Sequence, residues 1–540
     1  MNQPRGPAGT PQIFLDIDSA MRRGDMPAAT VLARRALDSG LSHPVLLNLR
    51  AYWHESSGRL PAACADLEAA HLLAPGDARI LNALGRCRTG AGQMDAAVKA
   101  LKSAVALEPG LAGAHYNLGF AHEQRGELDA AWPAYQKAAA LDPAMDDAVA
   151  RLAGLAARRS DRAEARALAD RALKLNPASA TAAFAHIVAD LAEDKFADAE
   201  RRARAVIDDP LVIEQARAQA KSFLGDALDG MGRFAEAFGY YVKANDALRD
   251  QFQEQFEGPG KETGRQLAVR LNTELDSAAA TPPSPSGQDG AGLVFLMGFP
   301  RAGTTLLGQI LASHSRVVTI EEKPLLGEAQ AEFINRPGGL ARLAALSPPA
   351  VEQYRQSYWR RVAAIVPDTR DKVVVDQTPL HTLHLPLIAT LFPRARIVFA
   401  VRDPRDVVLS CFRRLFAPNA YVYEFLTLEG SARFYDETMR LADKFRARLP
   451  LALIEVRNED VVADFDRQTG ALCDFLGLNW EETMRDFASA AKKRRIATPS
   501  AMQVTRGIRP DGIGHWKAYV NELAPVLPIV AKWVERFGYA

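Results

Sequence analysis

The pattern of apolar and polar positions divides the chain into a repeating first half and an alternating second half. In the first half, Leu84-Gly85 recurs as Leu118-Gly119 after 34 residues. Prolines recur with the same step, at Pro75, Pro109, Pro143 and Pro177. Proline has no N–H with which to continue a helix. Each unit is therefore predicted to contain two helices joined by a small-residue turn and ended by proline.

This period of 34 residues resembles the tetratricopeptide repeat. We expect about seven repeats over residues 12–250, stacked into an α-helical superhelix. The concave groove of such an array is expected to bind a protein or peptide. The alternative is that the array only scaffolds or dimerises the rest of the chain, and a homodimer is the expectation under that alternative.

The second half has the pattern of an α/β domain. Residues 251–291 are predicted to be a linker, because the stretch SAAATPPSPSGQDGAG at 277–292 is too rich in Pro, Ser and Gly to form a core. Over residues 292–540, apolar runs such as LVFLMGF, KVVVD and RIVFAV alternate with helix-like segments. This alternation predicts a P-loop-like α/β domain with a mostly parallel sheet, in which ligands bind at the carboxyl ends of the strands.

The first strand end carries GFPRAGTT, residues 298–305. Its glycines have the G-x-x-x-x-G spacing of a phosphate-binding loop, with Thr304 where a nucleotide triphosphatase has lysine. The backbone N–H groups of such a turn can hold a phosphate. The predicted binding residues are Arg301, Ala302, Gly303, Thr304 and Thr305. Without the lysine, a 5′-phosphate or a phosphosulfate suits the loop better than a triphosphate with magnesium. The alternative is a purely structural Gly-Thr turn.

A second anion site is predicted about one hundred residues further on, in RIVFAVRDPRDVVLSCFRR. Arg402 follows a predicted strand, and Ser410 lies on the helix after it. Arg414 is four residues beyond Ser410, a spacing that places both on one face of a helix. Guanidinium groups fork phosphate oxygens, so these residues can form a second phosphate clamp. A solvated basic helix start is the alternative.

Composition and charge restrict the classes of function. The 540 residues carry a formal net charge of +1, so no nucleic-acid partner is expected. No signal-like N-terminus and no run of 18 apolar residues occurs, which predicts a cytoplasmic protein without a membrane span. The four cysteines lack the spacing of metal ligands, and no metal is expected.

Together the two basic segments resemble the sulfotransferases that use 3′-phosphoadenosine 5′-phosphosulfate (PAPS). Among these, the domain order is similar to the tyrosylprotein type with N-terminal tetratricopeptide repeats, and the resemblance runs from about residue 293 to the C-terminus. It implies that the loop binds the 5′-phosphosulfate and that the Arg402 segment binds the 3′-phosphate. It also implies a hydroxyl acceptor, above all a protein or peptide tyrosine. A carbohydrate or small-molecule hydroxyl stays open.

Two carboxylates, Glu321 and Glu322, end the predicted strand RVVTI. Side chains alternate across a strand, so at most one of the two is expected to point into the site, and spacing does not choose between them. The resemblance implies Glu322 as the base and Arg301 as a catalytic cation. It further implies Ser500 as a group that stabilises the transition state, and Arg506 with Arg509 as donor contacts in a closing loop.

The resemblance breaks at three positions. A family lysine that stabilises the transition state is Gln377 here, a tyrosine near the adenine is Asn458, and a basic residue before a tryptophan is His515. Glutamine carries no charge, so catalysis is expected to be weaker unless a neighbour such as Lys372 compensates. Two other functions therefore stay open: a nucleotide-binding scaffold with weak catalysis, and a P-loop kinase or nucleotide triphosphatase.

Overall fold

The computed structural model describes residues 12–159, 161–277, 290–449, 451–494, 507–508 and 512–539. The chain divides into two compact units, Met1–Ala189 and Asp190–Ala540. No helix of these described ranges combines the length and the apolar character needed to cross a membrane.

The described chain begins with helices that follow one another in pairs. Their bounds are α1 Gln12–Arg22, α2 Met26–Asp38, α3 Pro44–Ser56, α4 Leu60–Leu73, α5 Ala78–Gly90, α6 Met94–Leu107, α7 Ala112–Gln124, α8 Leu128–Leu141, α9 Asp146–Arg158, α10 Arg162–Leu175, α11 Ala180–Ala192, α12 Phe196–Asp208, α13 Glu214–Gly230 and α14 Phe234–Phe256. Each of the four repeated prolines lies two residues beyond the end of a helix. The helical repeat region predicted from the 34-residue period is confirmed.

Glycines let the two helices of a pair approach closely. A Cβ on Gly85 would lie 2.3 Å from Leu101 Cγ, and one on Gly119 would lie 2.8 Å from Tyr135 Cδ1. Real Cβ atoms do not approach neighbours this closely, so any larger side chain would push the helices apart. The repeated Leu-Gly dipeptide in the sequence marks this packing position.

The α/β region follows. Its elements are α15 Gly264–Ser277, β1 Leu293–Gly298, α16 Thr304–Ala312, β2 Val317–Glu321, α17 Gly327–Phe333, α18 Gly339–Ala344, α19 Pro348–Ile365, β3 Val373–Gln377, α20 Leu385–Leu391, β4 Arg396–Val401, α21 Pro404–Arg413, α22 Leu428–Arg448, β5 Ala452–Arg457, α23 Asn458–Ala463, α24 Phe465–Leu476 and α25 Phe487–Arg494. Two helices, Val520–Leu523 and Leu527–Arg536, come last, and 3-10 helices cover Pro379–His384, Val422–Leu426, Glu482–Met484 and His515–Tyr519.

The five strands form one sheet in the order β2-β3-β1-β4-β5, and every neighbouring pair is parallel. The central strand β1 is buried along its whole length, as expected for a sheet covered on both faces. Parallel strands place their carboxyl ends at one edge, where Gly298, Glu321, Gln377 and Val401 end their strands. The predicted α/β domain with a parallel sheet is confirmed.

Part of the range predicted as a linker is folded. Helix α15 lies within residues 251–291, and its Leu267, Leu271 and Leu275 are buried in the core of the α/β region. Only the stretch from 277 onward has linker composition, so extending the linker back to 251 overlooked an amphipathic helix. The compact units divide after Ala189, within the helical repeat region. The domain boundaries at 250 and 292 therefore stay a prediction.

Candidate functional site

The loop from Gly298 to Thr305 joins β1 to α16 at the carboxyl edge of the sheet. A Cβ on Gly298 would lie 2.6 Å from the Ala400 carbonyl oxygen, so only glycine lets β1 and β4 pack this closely. Gly303 precedes the first residue of α16 and has φ of 104°, a left-handed conformation that glycine adopts without strain. Ala302, Thr304 and Thr305 are buried. The loop therefore has the strand-turn-helix form that the sequence predicted.

The two predicted anion-binding segments meet at Arg301. Its Nε donates a hydrogen bond to Ser410 Oγ at 2.9 Å, across 109 residues of sequence. Arg402 Nη1 donates to the Arg301 carbonyl oxygen at 3.2 Å, and Arg402 Nη2 donates to the Gly512 carbonyl oxygen. The structure thus brings Arg301, Arg402 and Ser410 together, as two neighbouring strand ends require.

The electrostatics of this cluster favour an anion. Burial, followed by the positive charges of Arg414 and Arg402, lowers the pKa of Arg301 to about 9. Burial and neighbouring cations both disfavour the charged guanidinium, and a bound phosphate would stabilise it against both. Buried Nε of Arg402 has no hydrogen-bond partner among the described residues. An unsatisfied buried donor beside a phosphate-type loop points to a negatively charged ligand.

The side chain of Arg414 is oriented differently from the prediction. Helix α21 ends at Arg413, and Arg414 has extended backbone (φ −104°, ψ 128°), so the shared helix face with Ser410 does not set its direction. Instead Arg414 Nη1 lies 2.7 Å from Asp226 Oδ2 on α13. Its charge still acts on Arg301, as the lowered pKa of Arg301 shows. The partner on α13 had no signal in the sequence, because 188 residues separate the two.

Glu321 and Glu322 differ in their contacts. Glu321 is the last residue of β2, and its carboxylate accepts a hydrogen bond from Gln309 Nε2 on α16. Glu322 has φ of 48°, and its N–H donates to the Gln377 carbonyl oxygen at 2.8 Å. Solvent reaches the Glu322 side chain, yet surrounding protein displaces enough water to raise the pKa of its carboxyl. A raised pKa and access to solvent are properties that a general base requires, and Glu322 as the base stays a prediction.

Gln377, at the family lysine position, does not face solvent. It is fully buried, and its amide lies beside Gly308 of α16, where an added Cβ would be 1.7 Å from Oε1. Neither the oxygen nor the nitrogen of the amide has a hydrogen-bond partner among the described residues. Lys372 does not take its place, because it lies at the opposite end of β3 and donates to the Ser315 carbonyl oxygen at 2.6 Å.

Two further residues border the site. Asn458, which follows β5, has its Oδ1 2.8 Å from the position of a Cβ on Gly303. Buried Asp406 accepts hydrogen bonds from the N–H groups of Gly514, at 2.7 Å, and Trp516, at 2.8 Å. Asp406 thereby fixes the C-terminal segment that contacts Arg402. The repeated aspartates of RDPRD were the available sequence signal for this role.

Other predicted residues lie apart from the cluster or outside the described residues. His515 is hydrogen-bonded to Asp229 Oδ1 at 2.9 Å, so its imidazole is engaged with α13. Ser500, Arg506 and Arg509 lie outside the described residues. Across the described ranges, no group of three or more His, Cys, Asp or Glu side chains is arranged to hold a metal ion.

The fold and this site define a protein with a helical repeat region and a sulfotransferase-type α/β domain. Residues 294–482 match the model of the sulfotransferase family, and residues 90–126 and 112–145 match models of the tetratricopeptide repeat. The chain thus matches the sulfotransferase family over residues 294–482 and the tetratricopeptide repeat over two segments of the helical region.

The relatives and similar solved structures described next share less than a quarter of their aligned residues with this chain. An uncharacterised protein of Aquifex aeolicus is 24% identical over 340 residues, which cover 61% of this chain and 44% of that protein. The "Putative protein-tyrosine sulfotransferase" of Caenorhabditis briggsae is 23% identical over 260 residues, covering 46% of this chain and 89% of that protein. The sulfotransferase domain of the Synechococcus PCC 7002 olefin synthase is 22% identical, with a TM-score of 0.33. The match covers 44% of this chain and 91% of that chain. The fold itself rests on the strands and helices described above.

Proposed function

We propose that this protein transfers the sulfuryl group of PAPS to a hydroxyl, with a protein or peptide tyrosine as the acceptor. The observation that carries the proposal is the junction of the two anion-binding segments, in which Arg301 donates to Ser410 and Arg402 donates to the Arg301 carbonyl. A site assembled from two strand ends suits a donor that carries phosphate groups at two positions of one ribose.

The residues present fit such a donor. The burial of Arg301 beside other cations, which lowers its pKa, and the unsatisfied Arg402 Nε both favour negative groups at this place. In the proposal the 5′-phosphosulfate is held by Arg301, Ala302, Gly303, Thr304 and Thr305, and the 3′-phosphate by Arg402, Ser410 and Arg414. Ser500 and Arg506 complete the proposed set, although both lie outside the described residues.

PAPS, when bound, supplies a sulfuryl group attached to a phosphate that can leave. The chain's own part begins with Glu322, whose carboxylate is proposed to take the proton of the acceptor hydroxyl. A raised pKa makes this carboxylate a stronger base than an ordinary glutamate near neutral pH. Arg301 and the N–H groups of the loop neutralise negative charge where it develops, which is the largest contribution that such sites make.

The acceptor part of the proposal is supported by the repeat matches and by the printed name of the Caenorhabditis briggsae relative. In this proposal the helical repeats recruit the protein or peptide that carries the tyrosine. The cytoplasmic setting expected from the sequence belongs to the same proposal.

A second function is favoured by one observation, the burial of Gln377. Its amide is fully buried and carries no charge, so the family lysine has no counterpart at this position. A domain that binds the nucleotide but turns over slowly, acting as a scaffold, is consistent with this substitution. Donor binding and turnover must therefore be measured separately.

The first test is calorimetric titration with 3′-phosphoadenosine 5′-phosphate, the desulfated donor. We expect binding by the wild type and a loss of about tenfold to a hundredfold in Arg402→Ala, because a guanidinium that hydrogen-bonds a phosphate contributes about 1.5–3 kcal/mol. Arg467→Ala, an exposed arginine on α24 that pairs with Asp464, is the matched control and should bind normally.

Turnover is then assayed with radiolabelled PAPS and tyrosine peptides, carbohydrates and small phenols. Sulfated peptide supports the full proposal, and binding without any product supports the scaffold. Binding of ATP with magnesium, and none of the desulfated donor, would instead support the kinase or triphosphatase alternative.

A further inference from the structure

The last helix pair of the repeat region, α13 and α14, packs directly on elements of the donor site. Asn245 Nδ2 of α14 donates to the Phe412 carbonyl oxygen of α21 at 2.8 Å. The rings of Phe238 and Phe412 have centroids 5.3 Å apart. All of these residues belong to the compact unit Asp190–Ala540. The pair is thus part of the folded unit that holds the donor site.

Two carboxylates of α13 pair with two arginines at the end of α21. Asp226 Oδ2 lies 2.7 Å from Arg414 Nη1, and Asp229 Oδ2 lies 2.7 Å from Arg413 Nη2. The other oxygen of Asp226 accepts a hydrogen bond from the Tyr241 hydroxyl at 2.9 Å. The Asp226 side chain is only 11% exposed. A carboxylate fixed on both oxygens in this way gives Arg414 a defined partner.

The pairing leaves Arg414 able to bind a second anion. A guanidinium has five N–H donors, and within the described residues only Nη1 of Arg414 is engaged. Its side chain is 34% exposed, so the remaining donors are open to solvent. Because Arg414 lies beyond the end of α21, the helix does not orient its side chain, and the ion pair with Asp226 does so.

We propose that Asp226 is a positioning residue for the donor site: it holds Arg414 so that the free N–H groups meet the donor's 3′-phosphate. This inference rests on the proposed function. It makes the last helix pair of the repeats a part of nucleotide recognition, a role in addition to any acceptor binding by the array. Asp226 acts through Arg414 and does not itself touch the nucleotide.

If Asp226 neutralised Arg414 instead of positioning it, the change in nucleotide binding would have the opposite sign. If Asp226 only neutralised Arg414, its removal would free positive charge and tighten the binding of an anion. If Asp226 positions Arg414, its removal loosens the guanidinium and weakens binding, because an unoriented side chain must be ordered by the ligand. The sign of the change therefore separates positioning from neutralisation.

The test compares 3′-phosphoadenosine 5′-phosphate with adenosine 5′-phosphate, which lacks the 3′-phosphate, by calorimetry on the full chain. In Asp226→Asn we expect the preference for the 3′-phosphorylated nucleotide to fall about fivefold to tenfold, with adenosine 5′-phosphate bound as before. In the Arg414→Ala background the same substitution should have no further effect, since the pair acts as one unit. Asp250→Asn, which removes an exposed carboxylate of α14, is the control and should leave the preference unchanged.

A second variant distinguishes a loss of positioning from misfolding of Asp226→Asn. Tyr241→Phe keeps the ring that packs against Gly225 and removes only the hydroxyl that holds Asp226, so a smaller loss in the same direction is expected. An unchanged or increased preference in Asp226→Asn, with the wild type preferring the 3′-phosphorylated nucleotide, overturns this inference alone. A wild type without that preference overturns the donor proposal and this inference together.

Discussion

Arg301 and Glu322 share an uncommon backbone conformation. Their φ values are 70° and 48°, and in the described ranges only Asp194 and Asp371 join them as non-glycine residues with positive φ. Such a conformation costs a side-chain-bearing residue about 1 kcal/mol or more and persists where the surroundings enforce it. The sequence independently predicts both residues as site residues. The strain is an independent reason to place the chemistry at these two positions.

The role of Glu322 gives a pH prediction at this scale. Because the surrounding protein raises the pKa of its carboxyl, the proposed base is protonated at a pH where an ordinary glutamate is already ionised. The rate of sulfation should therefore rise with pH along a limb centred above the ordinary value of about 4.3. Glu322→Gln should lower kcat about a hundredfold to ten-thousandfold and abolish this limb. Steady-state assays across pH measure both effects.

Glu321→Gln is the neighbouring control. It removes a carboxylate that is bound to Gln309, so a modest loss with the acidic limb retained is expected. Binding of the desulfated donor should be unchanged in both variants, because neither carboxylate is placed against the nucleotide. A pH limb that persists in Glu322→Gln would assign the base to another group.

At the scale of elements, α16 and β3 fit together through one glycine. Gly308 leaves the space that the buried amide of Gln377 occupies, since an added Cβ would lie 1.7 Å from Oε1. The helix that follows the loop from Gly298 to Thr305 thus packs against the strand that ends at Gln377. The sequence showed the substitution at Gln377, but pattern alone did not reveal that the amide points at a helix.

Gly308→Ala should disturb this contact. Overpacking of this kind costs typically about 1–3 kcal/mol, which lowers the Tm of a unit as large as Asp190–Ala540 by about 1–4 °C. Adding Gln377→Ala should recover much of the loss, because the amide is the group that the new methyl would meet. Differential scanning fluorimetry measures the three variants.

Gly470→Ala on α24 is the matched control, since an added Cβ there meets nothing within 4 Å. It should leave the Tm unchanged or raise it slightly, because alanine favours a helix more than glycine does. Equal losses in Gly308→Ala and in the double variant would show that Gln377 is not the obstacle.

The elements themselves were accessible to sequence reasoning, and their ends were less so. The runs LVFLMGF, KVVVD and RIVFAV became β1, β3 and β4 because continuous apolar stretches have few other places to fold. Arg414 was expected on a helix face and lies one residue past it, since helix ends depend on contacts that spacing does not show. Helix α15 was missed because the proline-rich composition beside it dominated the reading of the segment.

At the scale of the whole molecule, α13 is tied to the α/β region by charge. Asp229 accepts hydrogen bonds from Arg413, from His515 at 2.9 Å and from the Tyr519 hydroxyl. Burial alone would raise the pKa of Asp229, but the His515 hydrogen bond and the Arg413 charge outweigh it and hold the pKa well below its usual range. This carboxylate therefore stabilises the folded unit in its ionised form.

The sign of its contribution to stability follows from linkage. A carboxyl with a depressed pKa in the folded state contributes stability above its unfolded pKa of about 3.9, and that contribution is lost as the pH falls further. Asp229→Asn should lower the Tm by about 4–7 °C near neutral pH, as expected for a broken buried ion pair in a unit of this size. The difference from the wild type should shrink steadily below pH of about 4.

Thermal unfolding recorded from pH 3 to pH 7 measures this difference, and Asp250→Asn on α14 should track the wild type throughout. A difference that stays constant with pH would mean that the shape of Asp229, and not its charge, stabilises the unit.

Distance along the chain explains why these residues were not predicted. Arg413 and Asp229 are 184 residues apart, and Asp229 lies in a segment, GDALDGMGRF, that reads as an ordinary repeat turn. Local motifs predicted Arg301, Arg402 and Ser410, because each has a spacing that phosphate chemistry requires. The residues that orient these side chains carry no motif of their own. They come close only in the folded chain, so the sequence pattern does not show them.

The attachment of α13 to Arg413 and Arg414 has a consequence for how such chains diversify. Repeat arrays commonly gain and lose whole units, and a gain or loss ahead of residue 190 would leave the second compact unit intact. Deleting the last unit would remove Asp226 and Asp229 together with the surface beneath Arg413 and Arg414. Natural variation in repeat number is therefore expected upstream, with the final helix pair inherited along with the α/β region.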